Sequence, residues 1–285
     1  TVDGVDIAAL IATVSGITSN ATHSGEVTGS GALTIADNVV DEANLKVSNS
    51  PTNGYVLTAQ SGNTGGLTWA EMSAGVTSDS QENTVAGTNA GDSFDGTNAT
   101  KNTLIGYDAG TGITTGDENT AIGGKALQGV TTGTHNIAIG YGTLYQNTGS
   151  ENTAVGTRAL LSLTGSSQNV AIGAYAGYNA SGADKAVFIG YQAGYSTTTA
   201  DDNVFVGYQA GYKTTDDNQK TFVGYQAGYN DNAGSKSTAF GYLALYDNTF
   251  GEDNTALGHR AMYGNTTGDN NTAVGRSAGN QNQTG

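Results

Sequence analysis

The sequence predicts an all-β fold, a parallel β-roll of stacked coils, from a short fixed period, a glycine held in every period and apolar residues just before that glycine. Residues 188 to 229 show the pattern plainly, with FIGYQAGY, FVGYQAGY and FVGYQAGY starting 17 residues apart. Aligned on the central glycine, the unit recurs twelve times, at Gly87, Gly106, Gly123, Gly140, Gly156, Gly173, Gly190, Gly207, Gly224, Gly241, Gly258 and Gly275. The first spacing is 19, one later spacing is 16 and the rest are 17. Self-similarity at so short a period marks a solenoid, in which no unit buries its own apolar face and stacking supplies the core. Helical solenoids fit poorly, because 17 matches neither a heptad nor a helix pair and 44 glycines in 285 residues disfavour helix interiors.

Three segments follow in chain order. Residues 1–22 hold Ile7, Leu10, Val14 and Ile17 at a 3-4-3 spacing. This suits a short coiled coil, with β-branched core positions favouring three strands or more; a connector strand packed on the next module fits equally well. Residues 23–78 read as a small β module. Within it, Gly54 to Ala59 and Gly66 to Trp69 flank Ser61 to Gly65 as the arms of a hairpin, with Trp69, the sole tryptophan, as packing anchor. Residues 79–285 are the repeat roll, and the boundary falls in the polar stretch at about 73–82.

Inside each repeat the columns carry physical meaning. Four residues before the glycine stands Asn in nine of twelve copies, and three residues after it stands Ala in eleven. The residues between the Asn and the glycine, as in Thr120-Ala121-Ile122, read as a short strand. The Ala and the Gly, Leu, Met and Tyr that follow it read as a second strand, and small polar residues then close the coil as a loop.

Side chains alternate across a strand, so the residues one and two before the glycine face opposite sides. Both columns are apolar throughout, and in three copies the middle one enlarges to Phe188, Phe205 and Phe222, bulk that would be awkward in water. Strands apolar on both faces are covered on both faces. A single narrow roll offers only one interior, which predicts a homo-oligomer, with a parallel homotrimer as the expected form.

Composition bounds the function. The formal net charge of −15, from 10 basic and 25 acidic residues, disfavours nucleic acid and anionic membrane as partners. There is no cysteine, so thiolate metal sites and disulfides are excluded and the redox compartment stays open. The longest apolar run, near residues 5–14, is broken by Asp6 and too short to span a bilayer, so no membrane insertion is expected. Thr1 in place of Met suggests a processed or partial product.

The Asn-Thr-Ala-Ile/Val-Gly-x-x-Ala units, over roughly 200 residues, resemble the head repeats of trimeric autotransporter adhesins. They are also similar to NTAVGYxAL-type repeats in tail fibres of tailed bacteriophages. Residues 1–7, 23–29 and 53–69 are similar to stretches of marine phage fibre proteins, which favours the fibre family. That resemblance implies a homotrimeric virion tail fibre engaged in host adsorption. Its implied partners are other tail or fibre proteins and a host surface glycan or protein. A bacterial surface adhesin head of the same architecture is the alternative. The membrane β-barrel anchor of the adhesins is not recognisable here, nor is a chaperone domain after Gly285, which cleavage or a partial chain would explain.

Candidate sites are few. Tyr recurs one residue after the glycine, including Tyr191, Tyr208, Tyr225 and Tyr242, and also five after it. Stacked coils turn both columns into ladders that stabilise the roll; the functional alternative is that the first ladder binds a surface glycan. The recurring glycines are structural turns. Acidic residues cluster five and six before the glycine, as at Asp117, Glu118, Asp201 and Asp202. They read as a solvated stripe, with loop-held Ca²⁺ as the alternative. Paired carboxylates could suggest a glycan-degrading tailspike, but pairs repeated in coil after coil suit a scaffold, so no catalytic residue, metal or cofactor is expected. His23, His135 and His259 are scattered singly along the chain.

Overall fold

The computed structural model describes residues 55–59, 67–71, 78–94, 98–199, 201–232, 234–281 and 283. The chain divides into two compact units, Thr1–Met72 and Ser73–Gly285. In the first, strand β1 (Tyr55–Ala59) pairs antiparallel with β2 (Leu67–Glu71), Leu57 opposite Trp69. The coiled-coil or connector reading of 1–22, the 23–77 part of the β module outside the hairpin strands and the anchoring role of Trp69 lie outside the described residues.

The second unit is a parallel β-solenoid of about eleven turns. Twelve three-residue strands, from Thr84–Ala86 to Thr272–Val274, form one parallel sheet in sequence order, each beside the strands of the preceding and following coils. Every coil pairs like with like, so that Val204, Phe205 and Val206 lie beside Thr221, Phe222 and Val223. At the usual spacing between strands the sheet runs about 50 Å along the stack.

Each coil contains one strand, and the second strand expected after the glycine is a run of turns. The reason lies in the backbone. The residue two past the glycine has positive φ in all twelve coils, in eleven of them with a side chain (Lys125 at 62°, Gln209 at 52°) and in one as Gly142 at 62°. So does the residue four past it, whether Gly211 at 61° or Leu127 at 53°. Alternating left-handed residues break the extended geometry, yet the backbone still bonds from coil to coil: Lys125 N–H donates to the Tyr107 carbonyl at 2.8 Å and Gly110 N–H to the Ala126 carbonyl at 2.8 Å.

The recurring glycines turn the chain out of the strand at φ between +118° and +144°. At Gly123 (+128°) an added Cβ would come 2.7 Å from the Gly140 carbonyl oxygen, so neighbouring coils approach too closely for any side chain.

The middle strand residue points inward. From Leu104 to Phe222 this column is fully buried, and Phe188, Phe205 and Phe222 fill the interior. This corrects the sequence expectation: the coil's own interior covers these rings, so their bulk is not what calls for cover by further copies. Room for them comes from the turn side: Gly211 backs onto Phe205, with an added Cβ only 2.6 Å from its Cδ2. Where the strand residue is Ala121, Ala138, Ala154 or Ala239, the matching position holds Leu127, Leu144, Leu160 or Leu245, all fully buried. In these coils bulk on one wall is exchanged for bulk on the other; Ala171 and Gly177 are both small, and Leu160 and Phe188 of the neighbouring coils fill the space there.

The Asn column is the second interior ladder. Asn119 is fully buried. Its N–H and Nδ2 donate to Asn102 Oδ1 at 2.9 and 3.1 Å, its Nδ2 also reaches the Gly133 carbonyl at 2.9 Å, and its own Oδ1 accepts the Asn136 N–H at 3.0 Å. One side chain thus ties together three coils. Replacing Asn119 with Ala leaves the Asn136 N–H and the Gly133 carbonyl unmet, and a loss of about 2 kcal/mol in urea-unfolding free energy is expected; a loss under about 0.5 kcal/mol would refute the ladder's stabilising role.

Candidate functional site

Two tyrosine stacks run along the solenoid. Tyr191, Tyr208, Tyr225 and Tyr242 are consecutive members of the first, with ring centroids 5.5, 5.1 and 5.1 Å apart and planes within 16°. His259 continues the stack 5.1 Å beyond Tyr242. These rings are exposed, at 42–46% for the four tyrosines. Beside them Gln192, Gln209 and Gln226 form an amide ladder with bonds of 2.8 Å. The glycan-site expectation therefore falls on residues that the fold does bring together, as a continuous aromatic strip.

The second stack joins Tyr178, Tyr195, Tyr212, Tyr229, Tyr246 and Tyr263 at 5.0–5.3 Å. These rings are half-buried. Burial and flanking phenols raise the hydroxyls of Tyr195, Tyr212 and Tyr246 above the ordinary tyrosine value. Lys213 Nζ lies 5.8 Å from the Tyr229 ring centroid, a cation–π contact.

Alongside that stack runs an open groove of about 690 Å³ whose lining includes Lys213, Thr215, Asn230, Asn232, Asp247 and Thr249. These residues stand six and eight past the repeat glycine. The residue between them turns inward, as buried Thr214, Asp231 and Asn248 do. Sequence reading missed this groove because its residues look like generic loop; their spacing from the glycine was the available signal.

The acidic residues divide into two kinds. Six before the glycine, the side chain serves the preceding coil: Asp117 Oδ1 accepts the Thr100 N–H at 2.7 Å, Asp201 Oδ1 the Asp184 N–H at 2.9 Å and Asp269 Oδ1 the Glu252 N–H at 2.8 Å. These carboxylates cap backbone that would otherwise face solvent. Five before the glycine, Glu118, Glu151 and Asp253 are exposed with φ of 56°, 61° and 52°. Glu118 lies 3.1 Å from His135 and 3.6 Å from Lys101. Among the described residues no group of three or more His, Cys, Asp or Glu side chains is arranged to hold a metal.

One charged pair lies inside the coil. Lys220 occupies the Asn column, fully buried, and its ammonium donates to Asp217 Oδ2 at 3.0 Å and to buried Asp231. Asn248 Nδ2 donates to the other Asp231 oxygen at 2.8 Å. Burial outweighs these partners and pushes the Asp231 carboxyl up to about 6.

The outward face of the sheet is chemically distinct. Residues one and three before the glycine point away from the interior, and none is charged in any of the twelve coils. Ile122, Ile137, Ile139, Ile172, Phe240 and Leu257 among them are exposed. Fold and surface together define a parallel β-solenoid repeat protein with an uncharged sheet face that carries an exposed apolar column. The chain matches no protein-family model, and no curated protein or solved structure shows significant similarity to it.

Proposed function

We propose that the chain is a structural attachment segment, the shaft or head of a homotrimeric tail fibre of a tailed bacteriophage, which contacts a host surface glycan or protein. The observation that carries this reading is the outward face of the sheet, uncharged along its full length, apolar one before each glycine and Thr or aliphatic three before it, on a chain with 35 charged side chains. A solitary soluble solenoid has no use for such a stripe, which requires cover; identical copies arranged around a common axis supply it. Backbone hydrogen bonds from coil to coil make the unit a stiff spacer, the property a fibre needs. What favours the virion over a bacterial surface adhesin head is the resemblance of short stretches, residues 1–7, 23–29 and 53–69, to those of phage fibres, which falls short of a significant match.

Surface glycan contact falls to the exposed Tyr191–Tyr242 strip, because flat amphipathic rings suit sugar faces and the phenol hydroxyls supply polar tips. Light scattering after size exclusion is expected to give the mass of three chains, and fluorescent protein is expected to label host cells. Replacing Tyr208, Tyr225 and Tyr242 together with Ser should reduce labelling at least tenfold while mass is retained. A single-chain mass would overturn the fibre reading, and unchanged labelling would remove the tyrosines from the contact.

A further inference from the structure

We propose that the copies meet through the outward face of the sheet, parallel and in coil-for-coil register, with acidic residues on one edge of each face pairing with basic residues on the edge of the next copy. This rests on the homo-oligomer reading above and adds the surface, direction and register.

The occupant follows from the charges that border the apolar stripe. Five residues before each glycine and two residues after it, left-handed positions flank the strand, which is about 10 Å long. The coil of Gly123 carries Glu118 on one flank and Lys125 on the other; that of Gly156 carries Glu151 and Arg158; that of Gly258 carries Asp253 and Arg260. A fourth coil has the signs reversed, with Lys101 and Asp108, but Asp108 is buried and accepts hydrogen bonds from Asn89 at 2.9 Å and Gln128 at 3.2 Å within its own chain. No coil has the same sign on both flanks. Among the described residues, neither Lys125 nor Arg158 has an ion-pair partner in its own chain, and Arg260 lies over Tyr263.

Rotation about an axis parallel to the stack sets the first flank of one copy against the second flank of its neighbour at the same level. The three coils with an available charge on each flank, those of Gly123, Gly156 and Gly258, then present opposite signs across the contact. A slip of one coil places Glu82 against Asp108, Lys101 against Lys125 and Lys236 against Arg260, all of like sign. An antiparallel arrangement sets each edge against itself. The parallel, unshifted arrangement has no like-sign contact and makes three exposed opposite-sign pairs per edge, against two (Glu82 with Lys125, Glu118 with Arg158) at a slip of two coils, and electrostatic complementarity of this kind fixes register more than it adds affinity. A stripe of about 50 Å by 15–20 Å offers on the order of 800–1,000 Å² per copy, the scale of a stable partner interface. A partner with another repeat length could not match the coil spacing along the whole face; a second copy does so automatically.

The test compares the mass of three forms of the full chain in low salt: wild type, Glu118→Lys/Glu151→Lys/Asp253→Lys, and that variant with Lys125→Glu/Arg158→Glu/Arg260→Glu added. The wild type is expected as a multiple, the triple variant as a single chain, and the sixfold variant, with both edges exchanged, as a multiple again. All six sites are on the surface, and circular dichroism reports whether the coils are intact. A triple variant that keeps the wild-type mass overturns the edge pairing but leaves the homo-oligomer standing. A sixfold variant that stays single with an intact spectrum also overturns it. A single-chain wild type overturns the homo-oligomer itself.

Discussion

Replacing Phe205 with Ala is expected to lower the unfolding free energy of the solenoid by about 3–5 kcal/mol, and adding Gly211→Leu should return more than half of the loss. Phe205 is fully buried and packs between Phe188 and Phe222, with ring centroids 5.8 and 5.2 Å away. Truncating it removes those contacts and opens a cavity that the bonded coils above and below keep from collapsing. The second substitution uses the chain's own solution, since Leu127, Leu144 and Leu160 oppose Ala121, Ala138 and Ala154 in the same interior. A Leu at Gly211 must adopt φ near +61°, and Leu127 already does so at 53°. The left-handed conformation costs about 1–2 kcal/mol, so recovery is partial. Gly211→Leu alone should also destabilise, because its Cβ would come 2.6 Å from Phe205 Cδ2. Guanidinium midpoints for the four proteins form a double-mutant cycle. If the double variant loses the sum of the two singles, the two walls do not exchange volume and this account of the core fails.

The same pair shows where sequence reasoning stops. Period, glycine turn, Asn column and parallel stacking were legible because each is imposed on every coil and so repeats in the text. The direction of Phe188, Phe205 and Phe222 was not, because alternation tells which residues share a face but not which face is inside. The compensating Gly211 lies six positions after Phe205, across a turn whose geometry had first to be known. The second strand was misread for a related reason: Leu144, Leu160 and Gln209 in left-handed backbone run against their intrinsic preferences, and the bonds between coils override them. Of the candidate site, the tyrosine columns could be found by counting. The groove beside the second column, the backbone capping by Asp117 and Asp201, and the interior position of Lys220 become visible only when the coil is closed.

Lys220 leads to the second large effect. It replaces Asn in the interior ladder, and its N–H still bonds Asn203 Oδ1 at 2.8 Å, but its ammonium requires Asp231 as counter-ion within the same coil stack. Removing Lys220 strands the buried Asp231 charge, so Lys220→Asn should cost about 3–5 kcal/mol at pH 7, whereas Asp231→Asn, which removes a carboxylate that burial penalises, should cost less. Lys220→Asn/Asp231→Asn should be at least as stable as wild type at pH 7, because both substitutions restore residues that other coils use at these places: Asn119 and Asn136 in the first column, Asn248 and Asn265 in the second. The pH dependence has a definite sign. Asp231 titrates near 6 in the folded chain against 3.8 for the free side chain. The stability it contributes is therefore fully present below about pH 4 and is lost as pH rises through about 6, by about 3 kcal/mol. Shared carboxylates cancel when wild type and the double variant are compared at each pH, so the advantage of the double variant should grow between pH 4 and pH 6.5 and then level off. A flat difference would mean that Asp231 ionises without penalty, and a double variant as weak as the singles combined would mean that the pair stabilises its coil rather than merely being tolerated there.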